Sequence, residues 1–268
     1  MSNIRWAVDP GHTRLKLAVF DGSEVLRSGA WSWAELGVED VEGAQVKNAE
    51  PPWKAWPTPN GQSGAEVYAL ERAGAAERLA QLWWPSEICF IGHADVKHFT
   101  HDYVDFKSGR HGMDRWANMA ACYAIDPEGA DIIVDAGTCT TIDLRVGGRL
   151  LGGAISPGVA LRAQALAAGT DTLPAVKLAS MKNEGISFPG RSTEETIFAG
   201  VVCGAVEECA GLVRRLLEKY PAARIIVTGG GAHYFDSLPG MQTFADSLLT
   251  LKGVMALAAA HEEATYTT

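Results

Sequence analysis

Short apolar runs, each stopped by a polar glycine turn, open both halves of the chain. Residues 4–8 and 15–20 alternate about the turn Asp9-Pro10-Gly11-His12-Thr13-Arg14 and read as two paired strands. Asp21-Gly22 is a hairpin signal, and residues 25–33 make a third strand. Residues 37–64 then lose all periodicity. They carry Pro51, Pro52, Trp53, Trp56, Pro57 and Pro59 before Asn60-Gly61. This pattern predicts an irregular connection pinned by packed tryptophans. Beyond it, residues 75–82 look helical and 88–91 look like a short strand. Residues 114–125 make a helix, with Trp116, Met119, Ala120, Tyr123 and Ala124 along one face.

Asp126-Pro127-Glu128-Gly129 breaks the pattern, so the expected domains are 1–125 and 126–268. The second half opens on a near-continuous apolar strand, 131–136. Neighbouring strands are expected at 142–145 and 150–155, joined by Gly147-Gly148. Ser156-Pro157-Gly158 reads as a helix start, with Ser as N-cap and Pro at the first helical position; that helix stops at Gly169. Residues 192–220 hold the longest helix, with the stripe Ile197, Val201, Ala205, Cys209, Leu212 and Leu216. A strand at 224–228 ends in Thr228-Gly229-Gly230-Gly231-Ala232, and 247–262 is a closing helix. Strand-heavy openings followed by helices, twice over, predict two α/β domains with a cleft between them.

Composition narrows the function classes. The chain has 268 residues, 47% of them hydrophobic, and a formal net charge of -9. An acidic chain is not expected to bind nucleic acid or an anionic membrane surface nonspecifically. No run of about 18 apolar residues stands out, so no membrane span is expected. Residues 1–5 lead straight into a strand pattern and read without a signal peptide. Five cysteines, Cys89, Cys122, Cys139, Cys203 and Cys209, are odd in number and form no CxxC pair. A disulfide framework is therefore not expected, and a reducing cytoplasm is. His93, His98, His101 and His111 crowd one stretch without metal-ligand spacing on a confident helix. They are not read as a metal site.

The candidate chemistry lies in the turns. Asp9-Pro10-Gly11-His12-Thr13 and Asp135-Ala136-Gly137-Thr138-Cys139 share one grammar and stand 126 positions apart. Each follows an apolar strand with Asp-x-Gly and then hydroxyls. Glycine lets backbone N–H groups and threonine hydroxyls approach phosphate oxygens, and the aspartate offers a carboxylate to a metal ion or its water. The run Thr228–Ala232 is a third glycine-rich element. Each element alone is equally a tight hairpin or a strand-to-helix turn. The three in this order resemble the actin-like ATPase and sugar-kinase superfamily, which implies two ribonuclease-H-like domains.

Within that superfamily the motifs narrow further. Gly112-Met113-Asp114-Arg115-Trp116 opens a helix. Asp135-Ala136-Gly137-Thr138-Cys139-Thr140-Thr141-Ile142-Asp143 is followed by Gly152-Gly153-Ala154-Ile155-Ser156-Pro157-Gly158, Thr172-Leu173-Pro174, Ser192-Thr193 and the late Thr-Gly-Gly. This series resembles type III pantothenate kinase, almost continuously in the second half and at residues 9–16 and from 112 onward in the first. The resemblance implies ATP-dependent phosphorylation of the primary hydroxyl of pantothenate, towards coenzyme A. It implies Asp114 as general base, against the alternative that Asp114 only caps its helix. It places Gly112, Met113, Asp114, Arg115 and Thr193 at the substrate, although Ser192-Thr193-Glu194-Glu195 is equally a capping box. Asp9, Gly11, His12, Thr13, Lys16 and Thr138 would hold ATP. Asp9 would hold magnesium through water, and Asp135 a monovalent cation, potassium or ammonium. A homodimer is also implied.

Two departures from the family pattern fall in the first turn. His12 stands where Asn is usual, and Pro10 removes one N–H donor. Cys139 replaces a residue that is commonly Ala. Tyr103 is the nearest candidate for a tyrosine that contacts substrate, but its spacing to Gly112 is off. Two other readings remain open on sequence: a sugar or acid kinase of the same superfamily, and a non-catalytic nucleotide-binding regulator on the same scaffold.

Overall fold

The computed structural model describes residues 3–38, 51–56, 66–96, 111–178 and 188–266. The chain divides into two compact units. One comprises residues 1–127 with 248–268, and the other residues 128–247. The closing helix thus belongs to the first unit, where the sequence pattern had grouped it with the second half.

The first unit is built on a five-stranded sheet of order β3-β2-β1-β4-β5. Its strands are β1 (Ile4–Pro10), β2 (Arg14–Asp21), β3 (Glu24–Ser32), β4 (Glu66–Leu70) and β5 (Ile88–Ile91). β1, β2 and β3 form an antiparallel meander, and β4 and β5 extend it in parallel from β1. β1 is central, and Trp6, Ala7 and Val8 are fully buried, as a strand covered on both faces requires. β4 was not foreseen. It is short and follows the unpatterned stretch, and its pairing with β1 spans about sixty residues of sequence, which no local periodicity records.

Tryptophans fill one side of this unit. Trp53 is buried, 5.0 Å from Trp31 and 5.5 Å from Trp84 between ring centroids, and Trp56 lies 6.2 Å from Trp6. Residues 51–56 are a turn held by these contacts, which accounts for the described part of the Trp/Pro stretch. The remainder of that stretch lies outside the described residues.

Helix α1 is short (Ala75–Leu79), α2 is Met113–Ile125 and α5 is Leu249–Tyr266. α5 packs against α2 because Gly253 lets the backbones meet; a Cβ there would stand 1.8 Å from the carbonyl oxygen of Ala117. Thr250 donates to Asn118 Oδ1 at 2.8 Å in the same buried seam. At the far end Glu262 pairs with Arg5 at 2.8 Å and accepts from the Tyr68 hydroxyl.

The second unit repeats the plan in the order β10-β9-β6-β7-β8. Its strands are β6 (Ala130–Ala136), β7 (Cys139–Val146), β8 (Arg149–Pro157), β9 (Arg224–Thr228) and β10 (Thr243–Ala245). β6 is central, antiparallel to β7 and parallel to β9. The helix read from Ser156 begins later. Ser156 and Pro157 pair with Thr140 and Cys139 as the end of edge strand β8, where proline costs no ladder bond. Gly158 is the N-cap of α3 (Val159–Gly169).

Helix α4 (Thr193–Leu217) starts on a capping pair: the Ser192 side chain accepts from the Glu195 N–H at 3.1 Å, and Glu195 accepts from the Arg191 N–H at 2.7 Å. Among the described residues α4 alone is long and apolar enough to cross a membrane, which the sequence pattern had not suggested. Half of that apolar window is buried. Ile197, Phe198, Val201, Val202 and Val213 face the core formed by Ile132, Val134, Ile225 and Val227.

Candidate active site

The first glycine turn leaves β1 after Pro10 and returns on β2 at Arg14. Antiparallel register sets Asp9 opposite Lys16, and Lys16 Nζ stands 3.2 Å from Asp9 Oδ2. Asp9 is only 2% exposed, and its Oδ1 is buried without a hydrogen-bond partner among the described residues. A buried carboxylate oxygen without a hydrogen bond is costly unless a cation compensates its charge. Inside the turn the Gly11 N–H donates to the Asp9 carbonyl at 3.0 Å, closing the chain about Pro10. Trp33, just past β3, donates from Nε1 to the Gly11 carbonyl at 2.9 Å. His12 and Thr13 are exposed at the tip.

Asp114 lies in the first turn of α2, after the N-cap Gly112. Its Oδ1 accepts from the Arg115 N–H at 2.9 Å, and its Oδ2 accepts from Arg72 Nη2 at 2.7 Å. Arg72 Nη2 is also 3.5 Å from Asp9 Oδ1. Burial pushes the Asp114 carboxyl up. The charge and hydrogen bond of Arg72, the Arg115 N–H and the charge of Lys16 together outweigh that and hold it below the usual carboxylate range. Lys16, Asp9, Arg72 and Asp114 therefore form one alternating chain of charges. Arg72 was missed by the sequence reading. It stands in Glu71-Arg72-Ala73-Gly74, a polar connection with no motif, and only the parallel pairing of β4 with β1 carries it to this edge.

The neighbours of Asp114 are mostly enclosed. Met113 is buried. Arg115 is 8% exposed, and its Nη1 stands 3.4 Å from His111 Nδ1. Burial and the Arg115 charge hold the His111 imidazole down at about 4, so the ring is neutral. Among the described residues no group of three His, Cys, Asp or Glu side chains is arranged to hold a metal ion. His98, His101 and Tyr103 lie outside those residues. All five cysteines are free thiols.

The second turn is packed against the late glycine run. Gly231 N–H donates to the Ala136 carbonyl at 2.8 Å, and Gly158 N–H donates to the Thr138 carbonyl at 3.0 Å. Gly229 has φ +92°, and a Cβ there would lie 2.5 Å from Asp135 Oδ1 and 2.6 Å from the Ala136 carbonyl oxygen. Only glycine fits that position. Thr141 stands directly opposite Asp135 in the β6–β7 ladder. Among the described residues its Oγ1 is buried without a hydrogen-bond partner, as is that of Thr140. Thr138 and Cys139 are exposed at the tip.

Thr193 lies elsewhere in the second unit. It lines a groove of about 610 Å³ at the start of α4, with Leu166, Leu173, Arg191, Ser192 and Thr196. Of the residues singled out by sequence, Asp9, Lys16 and Asp114 are thus joined through Arg72. Asp135 and Thr138 share the second turn, and Thr193 borders its own groove.

A duplicated sheet whose central strand ends, each time, in an Asp-x-Gly turn is the architecture of the actin-like ATPase fold. A solved activator of 2-hydroxyisocaproyl-CoA dehydratase from Clostridium difficile shares it, with TM-score 0.52 over 99% of this chain and 98% of that one, at 14% identity. Sequence comparison is more specific. A profile of the type III pantothenate kinase family matches residues 6–215. The type III pantothenate kinase of Flavobacterium johnsoniae is 32% identical over 248 residues, 92% of this chain and 94% of that one. The type III pantothenate kinase of Phocaeicola vulgatus is 40% identical over 144 residues, 53% of this chain and 58% of that one. The chain belongs to the type III pantothenate kinase family.

Proposed function

We propose that this protein transfers the γ-phosphoryl group of ATP to the primary hydroxyl of pantothenate, giving 4'-phosphopantothenate in the first step of coenzyme A biosynthesis. Family membership supports the reaction. The observation that carries it is the charge chain in which a buried carboxylate of the first turn, Asp9, is linked through the half-buried Arg72 to a half-buried carboxylate at a helix start, Asp114.

Asp114 is the general base. The pantothenate hydroxyl oxygen forms the new P–O bond and its proton passes to Asp114. The bond from the γ-phosphorus to the β–γ bridging oxygen breaks, and its electron pair leaves on ADP. Asp114 is held ionised and so is ready to accept that proton at neutral pH. Its weak basicity is no obstacle, because phosphoryl transfer has a loose transition state in which positioning outweighs proton abstraction. The backbone of Gly112 and Met113, with Arg115 and Thr193, holds pantothenate. Thr193 is suited to this role because it borders a groove.

Gly11, His12, Thr13, Lys16 and Thr138 take the triphosphate. Asp9 Oδ1, which has no hydrogen bond among the described residues and meets Arg72 by charge alone at 3.5 Å, fits a magnesium-bound water, and magnesium there would neutralise charge on the phosphate oxygens. Asp135, with Thr141 Oγ1 opposite it and without a hydrogen-bond partner among the described residues, fits potassium or ammonium, which offsets the repulsion between a carboxylate and a triphosphate. A homodimer is supported by exposed apolar residues on edge strand β8 and on α3: Leu151, Ile155, Leu161 and Leu166. Five free thiols support a reducing, cytoplasmic setting.

The test is a coupled ADP-release assay with ATP, magnesium, potassium and pantothenate. Release that depends on pantothenate is expected. No such turnover, in potassium or in ammonium, would refute the assignment.

A further inference from the structure

Arg72 is the one member of the charge chain to which no motif assigns a role. It enters from the connection after β4. β4 runs parallel to β1 with Ala69 opposite Val8, so both strands leave the sheet at the same edge. The guanidinium joins the two carboxylates that stand at opposite ends of the reaction in the reading above: Asp9 on the triphosphate side and Asp114 on the alcohol side. A cation between them faces the path of the phosphoryl group.

These two contacts are unequal. The 2.7 Å contact to Asp114 is a charge-assisted hydrogen bond, whereas the 3.5 Å contact to Asp9 is held by charge alone. The side chain is 24% exposed, so it is open to a ligand. Within the chain, the carboxylates of Asp9 and Asp114 face the cations of Lys16 and Arg72. A further cation at Asp9 weakens the hold on Arg72 from that side. Incoming phosphate oxygens, carrying more negative charge than a carboxylate and matching the guanidinium fork, compete for it.

We propose that Arg72 is a catalytic residue that donates to the equatorial oxygens of the γ-phosphoryl group as it passes from the ADP bridging oxygen to the pantothenate hydroxyl. With no substrate bound it rests on Asp9 and Asp114. The proposal rests on the pantothenate kinase reading and on Asp114 as its base. Arg72 makes or breaks no bond. It stabilises charge that grows on the transferring oxygens, so its contribution belongs to the transition state and not to ground-state binding.

The experiment compares wild type, Arg72→Met, Arg72→Gln and Arg72→Lys as full chains. For Arg72→Met, kcat is expected to fall about 10²–10³-fold while KM for ATP and for pantothenate stay within about threefold. Arg72→Lys recovers part of the loss, since it keeps the charge without the fork. Binding gives a second readout without turnover. By calorimetry, ADP affinity is unchanged in Arg72→Met, whereas the gain in affinity that aluminium fluoride gives ADP with pantothenate is lost. Equal weakening of ADP with and without aluminium fluoride would mean uniform binding and would overturn the proposal. So would kcat within about threefold of wild type in Arg72→Met. If Arg72→Met does not fold, as judged by circular dichroism, Arg72→Gln and Arg72→Lys carry the same comparison. A wild type without pantothenate-dependent ADP release overturns the kinase reading and the proposal with it. An active wild type beside an equally active Arg72→Met overturns the proposal alone.

Discussion

The indole N–H of Trp33 holds the carbonyl of Gly11 at 2.9 Å, so a residue beyond β3 fixes the first glycine turn. Trp33 is 6% exposed, and the Arg78 guanidinium stacks on its ring at 4.6 Å. The indole thus joins the packing of the core to the position of the turn. Replacing it by Phe keeps the packing and removes the donor. We expect Trp33→Phe to cost about 1 kcal/mol of stability, read by urea unfolding. We also expect KM for ATP to rise several-fold, with a smaller effect on kcat. An unchanged KM would show that the turn needs no such brace.

Asp114→Asn preserves size and removes the proton acceptor. The expected loss in kcat is about 10²–10⁴-fold, with the melting temperature close to wild type. Steady-state kinetics beside a melting curve checks it. Retention of full activity would leave Asp114 with only its place at the start of α2.

Gly229→Ala forces a Cβ into Asp135 Oδ1 and the Ala136 carbonyl at a φ that other residues rarely adopt. The expected cost is roughly 2–4 kcal/mol, together with loss of the potassium activation proposed for Asp135, since that side chain must move. Gly230 has nothing within 4 Å of its would-be Cβ, and Gly230→Ala is the control. Thermal unfolding and a potassium titration of both variants separate the two effects. Equal behaviour of the pair would contradict the close packing of the turn.

His111 sets a pH dependence. Its folded value, about 4, lies below the ordinary value of 6.5. The unfolded chain therefore binds the proton first as pH falls, and stability is lost from about 6.5 downward and is complete above it. The slope from this residue is at most about 1.4 kcal/mol per pH unit, and solvent screening reduces it. His111→Gln should flatten the stability profile between pH 4 and 6.5, measured by denaturant unfolding across that range. An identical profile in the variant would show that His111 does not set it.

Local chemistry was legible where one stretch of chain carries it. The apolar strand before Asp9 and the one before Asp135 stand out because a central strand is buried on both faces. The helix behind Asp114 and the Ser192–Glu195 cap were equally plain, since both follow from spacing within one turn. Arg72 was hidden because its role depends on a strand pairing with a distant partner, and β10 because three residues show no periodicity. Ser156 and Pro157 misled for a related reason. Their sequence suits a helix start, but the β7–β8 ladder extends through them and wins. α5 has an apolar face whose pattern names neither unit, and its contacts with the first unit decide: Glu262 with Arg5, Thr250 with Asn118, and the close approach of Gly253 to Ala117.

That last contact has a consequence for how the protein is made. The first unit is split in sequence, and the second unit lies whole within the gap. On the ribosome, every strand of the second unit is therefore synthesised before the first unit receives α5 and the cover it gives to α2. The later unit can finish folding first, reversing the N-to-C order usual for multidomain chains. Until Gly253 reaches Ala117, the seam containing Asn118 stays open, and the helix that carries Asp114 in its first turn lacks the partner it packs against.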